Sequence, residues 1–220
     1  MEVVTLLLYF WNMLDLRIKK YITIRNNKIS INGIVDYANL EEKNTIRFLK
    51  SAYRNYGIQY GKFFKMDALS KLGFLASEVL LHETQENALK PEETSVILCN
   101  SASSLHTDHK YQATIADIPL PALFVYTLPN IVIGEICIRN GFRGEGAFLV
   151  HPYFDTTYIE NYVRVLFETT QTKQCLTGWV EMARDDSYDA VLYLISRDEG
   201  KTNFTDSNLK HIFEEQSWAS

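Results

Sequence analysis

The sequence predicts an α/β fold, in which a largely parallel sheet of five main strands is flanked by helices. Two short apolar runs, at residues 95–99 and 148–150, are typical of strands that are covered on both faces. Longer stretches between and after them carry apolar residues at helical spacing. Strands that alternate with long helices indicate an α/β domain, and no internal repeat or linker-like tract divides the chain.

The amino-terminal elements are a strand, a short alternating piece and a helix. Residues 20–24, KYITI, alternate and are rich in β-branched side chains, so they predict the first strand. Two asparagines after it predict a turn before residues 28–34, KISINGI, which alternate in the same way. In residues 67–81 the apolar positions follow the i, i+3, i+4, i+7 spacing of a helix, and Asp67 is its expected N-cap.

The carboxyl-terminal half contains the remaining elements around one tight corner. Residues 128–138 are an apolar, helix-like segment that begins near Pro129 and Asn130 and ends at a group of glycines. A corner follows the 148–150 strand, and Asp155 or Thr156 caps the helix after it. Two further strands and a terminal helix are expected at residues 175–182, 190–195 and 205–216.

Composition and charge exclude several classes of function. The chain has 220 residues, of which 46% are apolar, and its net charge of −5 argues against nucleic-acid binding. Its three cysteines are odd in number and widely spaced, which fits a reducing cytosol. The signatures GxSxG, HExxH and GxxxxGK[ST] are absent, and the glycines of residues 141–146 precede a strand instead of following one. We therefore expect a cytoplasmic protein without a cofactor.

A cluster of metal-binding residue types occurs in LHTDHK, where His106, Asp108 and His109 lie within one turn of each other. No second ligand cluster lies elsewhere in the sequence. A solvated polar loop is the favoured interpretation, and no metal site is predicted.

Residues 1–12 are treated apart from the domain at residues 13–220. The run VVTLLLYFW within them is too short to span a bilayer as a helix. It has neither a basic segment before it nor a small-residue cleavage site after it. We interpret this leader as an upstream mis-start or a packing segment, without stable membrane insertion.

The segment at residues 119–146 resembles the β-ketoacyl-acyl-carrier-protein synthases of the thiolase fold, which share a "P…F…LPN…G.I.I..G..G" pattern. The matching residues are Pro121, Phe124, Leu128, Pro129, Asn130, Gly134, Ile136, Ile138, Gly141 and Gly144. CLTGWVEM is similar to the family's Gly-rich strand with a following Glu, here Gly178 and Glu181. The resemblance implies a half-fold with strand order 3-2-1-4-5, the last strand antiparallel, and the 148–150 strand at the edge of the sheet.

The nucleophile is where this sequence departs from the family. Aligning Gly144 with the family's turn puts Tyr153 at the position of the active-site cysteine, and no Cys or Ser lies within residues 150–155. An unperturbed phenol has a pKa of about 10, so it is mostly protonated and a poor acyl carrier. The resemblance also implies a second half that supplies two catalytic histidines, which this sequence does not contain.

The resemblance therefore implies a non-catalytic protein of the chain-length-factor type, as in aryl polyene or flexirubin-type pathways of fatty acid and polyketide biosynthesis. Its implied partner is a full-length β-ketoacyl synthase in a heterodimer, with a self-dimer as the alternative and acyl carrier protein as a further partner. The residues assigned to the interface or to the border of the partner's acyl tunnel are Phe148, Val150, Pro152, Tyr153, Phe154, Pro129 and Asn130.

Two other hypotheses remain open. The first is an acyl-thioester hydrolase or acyltransferase in which His151 is the base and Asp155 orients it. The second is a decayed fragment without function. A purely structural role for His151 at the corner is favoured over the catalytic one.

Overall fold

The computed structural model describes residues 14–82, 90–115, 118–197 and 199–215, in which one sheet is covered by helices on both faces. The predicted α/β class is confirmed. The leader at residues 1–12 lies outside the described residues.

Over the described residues the sheet has eight strands, and its spatial order is β3-β2-β1-β7-β6-β4-β5, with β8 paired to β1. Among these strands only the pairs β4–β5 and β4–β6 are parallel. The predictions of five strands, a mostly parallel sheet and the order 3-2-1-4-5 are therefore wrong, whereas the antiparallel pairing of β7 is confirmed. The strands are β1 (Leu16–Arg25), β2 (Lys28–Ile31), β3 (Ile34–Ala38), β4 (Thr94–Asn100), β5 (Gly146–Val150), β6 (Gln174–Met182), β7 (Tyr188–Arg197) and β8 (Thr202–Asn203).

Two tight turns explain the additional strands. Asn26 and Asn27 both have positive φ, and so do Asn32 and Gly33. Successive residues with positive φ form the hairpin turns whose twist matches that of antiparallel strands. The second turn divides the predicted KISINGI strand, so that the β1–β2–β3 meander is added to the sheet beyond β7.

Of the seven α-helices among the described residues, five cover the sheet. One face is covered by α1, α2 and α5, and the other by α6 and α7. The predicted caps are confirmed, because the Asp67 carboxylate accepts the Ser70 N–H at 2.9 Å and that of Asp155 accepts the Tyr158 N–H at 2.9 Å. The helices are α1 (Thr45–Asn55), α2 (Ala68–Leu81), α3 (Leu105–Ile115), α4 (Pro121–Phe124), α5 (Ile131–Asn140), α6 (Thr156–Thr169) and α7 (Asp206–Glu215).

The interpretation of LHTDHK as a loop is wrong, since these residues belong to α3. The helix has no apolar buried face, and its buried residues are His106 and Thr107. A helix of this kind lacks the apolar spacing by which sequence patterns are recognised.

The centre of the core is α2, whose residues are all buried except Glu78. It packs closely on α5, because a Cβ atom at Gly73 would lie 2.5 Å from Cγ2 of Val132. The β6–β7 pair has a similar close approach at Gly178, which has a φ of +149°. A Cβ atom there would lie 2.0 Å from the Val191 carbonyl oxygen, so this position requires glycine.

We expect Gly178→Ala to lower the free energy of unfolding by about 2 to 4 kcal/mol, since it combines backbone strain with a backbone clash. Urea denaturation would measure the change. Gly61→Ala is the matched control, because no heavy atom lies within 4 Å of the added Cβ atom. Equal stability of the Gly178→Ala variant and the natural protein would contradict the account of this strand pair.

Candidate functional site

The site begins at the free edge of the sheet. Within the described residues β5 pairs with β4 alone, so its other side lies at the edge, as predicted for the 148–150 strand. In a parallel pair alternate residues face the neighbouring strand, and the His151 N–H donates to the Asn100 carbonyl oxygen at 2.9 Å. The peptide groups of Phe148 and Val150 therefore face the free side.

The side chains of β5 are apolar on both faces of the sheet. Phe148 packs partly against the core beneath α2, whereas Leu149 packs partly against the core beneath α6. Val150, at the carboxyl end, is 54% exposed. An apolar edge with open hydrogen-bonding groups is a template for pairing with another strand.

The corner after β5 has an exposed part and a buried part. Pro152 is exposed, and Tyr153 is 64% exposed. Phe154 turns inward, where its ring contacts those of Trp179, Tyr193 and Phe213 at centroid distances of 5.9, 6.2 and 5.0 Å. Because Phe154 is a core residue, its predicted place at an interface or tunnel does not fit the structure.

The corner does not form the predicted acid–base pair. The ring of His151 lies against that of Tyr158, with centroids 4.7 Å apart. The Asp155 carboxylate accepts the Tyr158 N–H in the first turn of α6. Among the described residues no hydrogen bond joins His151 to Asp155, so the carboxylate does not orient the imidazole.

The thiols are also unsuited to nucleophilic attack. Burial raises the pKa of all three cysteines, Cys99, Cys137 and Cys175. The Cys99 thiol donates to the Gly178 carbonyl oxygen at 3.3 Å. A thiol with a raised pKa is protonated near neutral pH and is not the reactive thiolate.

Glu181 organises the loop after β4, and its role is one that sequence reasoning did not assign. Its carboxylate accepts the N–H and the hydroxyl of Ser101, at 2.7 and 2.6 Å, and the N–H of Ala102 at 3.3 Å. The loop therefore stays fixed at the carboxyl ends of the parallel strands. A Glu at the end of an otherwise apolar strand is the available sequence signal.

An apolar surface lies beside this end of β5. The segment that leads into α5, residues 118–128, carries many exposed large apolar side chains and is here called the apolar segment. The Ser104 hydroxyl, in the loop after β4, donates to the Thr127 carbonyl oxygen, and Asn100 at the end of β4 is in register with Val150, so the apolar segment lies near the carboxyl ends of these two strands. Asn130 precedes α5 without capping it through its side chain, and Pro129 is half-buried. The exposed members are Ile118, Leu120, Phe124, Val125 and Leu128.

The described residues form neither a metal-binding cluster nor a single membrane-spanning helix. They contain no group of three or more His, Cys, Asp or Glu side chains placed to hold a metal, and His106 instead contacts Asp186. No single helix is long and apolar enough to cross a membrane. Two consecutive helical segments, Pro121–Thr127 and Ile131–Asn140, are together long and apolar enough to span a membrane, but only by length and composition. Their axes are bent by 97° relative to each other.

Comparisons with solved structures identify the fold. The chain is similar to the ishigamide ketosynthase/chain length factor, with a TM-score of 0.58, 15% identity, and coverage of 84% of this chain and 62% of that one. It is also similar to the ketosynthase ApeO in complex with its chain length factor ApeC from Xenorhabdus doucetiae. That match has a TM-score of 0.54 and 12% identity, and it covers 84% of this chain and 80% of that one. The match to a β-ketoacyl synthase from Burkholderia phymatum STM815 has a TM-score of 0.58 and 9% identity, and it covers 84% of this chain and 59% of that one.

At these identities the similarity shows the fold alone, which is that of ketosynthases and chain length factors. The resemblance inferred from residues 119–146 is confirmed at this level. The chain spans less than two thirds of the length of the ishigamide and Burkholderia structures. No protein-family model and no curated protein matches the sequence.

Substitutions at the two aromatic residues of the corner should differ strongly in their effect on stability. Phe154→Ala should lower the free energy of unfolding by about 3 to 5 kcal/mol, because it leaves a cavity between buried rings. Tyr153→Ala, at the exposed neighbour, should change it by about 0.5 kcal/mol or less. Thermal and urea unfolding of both variants would measure this, and similar losses in the two would contradict the assignment.

Proposed function

We propose that this chain is a non-catalytic, chain-length-factor-type partner of a cytoplasmic condensing enzyme in fatty acid or polyketide biosynthesis, of the aryl polyene kind. The observation that carries the proposal is the free apolar edge of β5 beside the apolar segment. The partner is a full-length β-ketoacyl synthase, and acyl carrier protein is a further partner of the complex.

Strand pairing is the first part of the proposed interface. The outward peptide groups of Phe148 and Val150 supply donors and acceptors to an added strand. A synthase strand that pairs there extends one sheet through both subunits. The apolar side chains on both faces of β5 are then covered by the partner.

Apolar contact is the second part. The apolar segment exposes Phe124 and Val125 by about half, and Val150 and Tyr153 are exposed at the end of β5. Exposed large apolar side chains that lie together mark protein interaction sites. In this arrangement Pro152 and Tyr153 border the partner's acyl tunnel, and Pro129 and Asn130 are assigned to the same border.

The chemistry of the corner supports a non-catalytic role. Condensation requires a thiolate to carry the acyl group, and the three thiols of this chain have raised pKa values. Tyr153 occupies the nucleophile position implied by the family resemblance. The hydrolase alternative needs a group that orients His151, and Asp155 instead caps α6.

The interface is tested by co-expression with the condensing enzyme encoded nearest to this chain. Size-exclusion chromatography with mass determination should give a one-to-one complex. Val150→Lys should weaken it at least about tenfold, since a charge on an edge strand opposes pairing. Val35→Lys is the matched control, because Val35 lies on the opposite edge strand β3 and is 55% exposed, against 54% for Val150.

Three outcomes would count against the interface: no complex, a self-dimer in place of the complex, or equal weakening by the two Lys variants. The first two concern the partner. The third concerns the assignment of the interface to β5.

The acyl-tunnel assignment is tested by product length. Tyr153→Ala in the reconstituted pair should lengthen or broaden the distribution of products, because a smaller side chain leaves more room at the tunnel border. Mass spectrometry of the released acyl chains would measure it. The control is Phe64→Ala, an exposed aromatic residue of the 3₁₀ turn at Gly61–Lys65. An unchanged distribution from a stable Tyr153→Ala complex would refute the assignment.

A further inference from the structure

A second feature concerns the helices that carry much of the apolar segment. Helix α3 and residues 121–127 are here called the surface layer, and of these residues only Tyr126 belongs to the main core. Their buried residues are His106, Thr107 and Tyr126, whereas all but one of the residues of α2 are buried. The surface layer is therefore attached by two polar side chains and one aromatic side chain instead of by a continuous apolar face.

Each of these side chains contacts a different element. The Thr107 hydroxyl donates to the Asp67 carboxylate at 2.6 Å, at the start of α2. His106 Nε2 lies 2.8 Å from Asp186 Oδ1 in the β6–β7 turn. The Tyr126 hydroxyl donates to Glu135 Oε1 at 3.1 Å, in α5.

Two of these three contacts leave a buried atom unsatisfied. His106 Nδ1 and Glu135 Oε2 are buried and have no hydrogen-bond partner among the described residues. Lys62 does not change this at Glu135, because its Nζ lies 2.9 Å from Oε1, the oxygen that already accepts from Tyr126. The free-energy cost of leaving a buried polar atom unsatisfied is at least as large as the net free energy that one hydrogen bond contributes.

We propose that the surface layer opens from the core as one unit while the sheet and α2 remain folded. Its attachments are the ring of Tyr126 and a few hydrogen bonds, including that of the Ser104 hydroxyl to the Thr127 carbonyl oxygen, and two of the side-chain contacts carry the cost of an unsatisfied atom. The core beneath has extensive apolar burial and therefore opens only in global unfolding. The opening is a property of the isolated chain and does not depend on the proposed partner.

Native-state hydrogen exchange on the purified full chain tests this. In low urea the amides of α3 should exchange faster than those of β4 and β6 and with a weaker dependence on urea, since local opening exposes little surface. Tyr126→Phe should accelerate exchange in α3 about fivefold, because it removes one attachment.

The decisive control is Tyr193→Phe. Tyr193 is fully buried in the sheet, and its hydroxyl donates to the Leu209 carbonyl oxygen at 3.0 Å. This change should accelerate the amides of β4 and β6 and leave α3 unchanged, because the Tyr193 contact persists when the surface layer opens. Thr107→Val should reproduce the effect of Tyr126→Phe.

The proposal is overturned if Tyr193→Phe accelerates α3 as much as β4, since α3 then exchanges only through global unfolding. Equal protection of α3 and β4 in the natural protein would have the same meaning. Both results are independent of whether a synthase binds the chain.

Discussion

The burial of α2 against the sheet is the constraint on which the other elements depend. Its one residue that is not buried, Glu78, pairs with Arg139 of α5 at 3.0 Å. Because Gly73 allows Val132 to approach, α5 lies directly against α2. The apolar segment that leads into α5 lies near the carboxyl ends of the parallel strands, where the Ser104 hydroxyl donates to the Thr127 carbonyl oxygen. The proposed interface therefore depends on a helix that takes no part in it.

Sequence pattern specified the elements that have a strong apolar period and missed those that do not. The helix at residues 67–81, its Asp67 cap and the strand at the sheet edge agree with the structure. The order of the strands in the sheet could not be predicted from the apolar pattern, because periodicity indicates which face of a strand is buried but not which strand lies beside it. Helix α3 was missed since its buried residues are polar.

At the site, the sequence indicated the corner but not the direction of its side chains. Four neighbouring bulky residues from His151 to Phe154 give no alternation, and a tight corner turns adjacent side chains to opposite sides. The structure separates an exposed Tyr153 from a buried Phe154. The role of Glu181 was also hidden, because its acceptor contacts are to backbone N–H groups of a loop distant in sequence.

The open sheet ends in two edge strands of different character. At the far edge, β3 is five residues long, with Asp36 at its centre. If two β3 strands paired in register, the two carboxylates would face each other, which opposes association. A chain that paired at both edges would add subunits without limit, whereas pairing through one edge ends with two subunits. A carboxylate at the centre of β3 thus opposes strand pairing at that edge, and with it the continued addition of subunits.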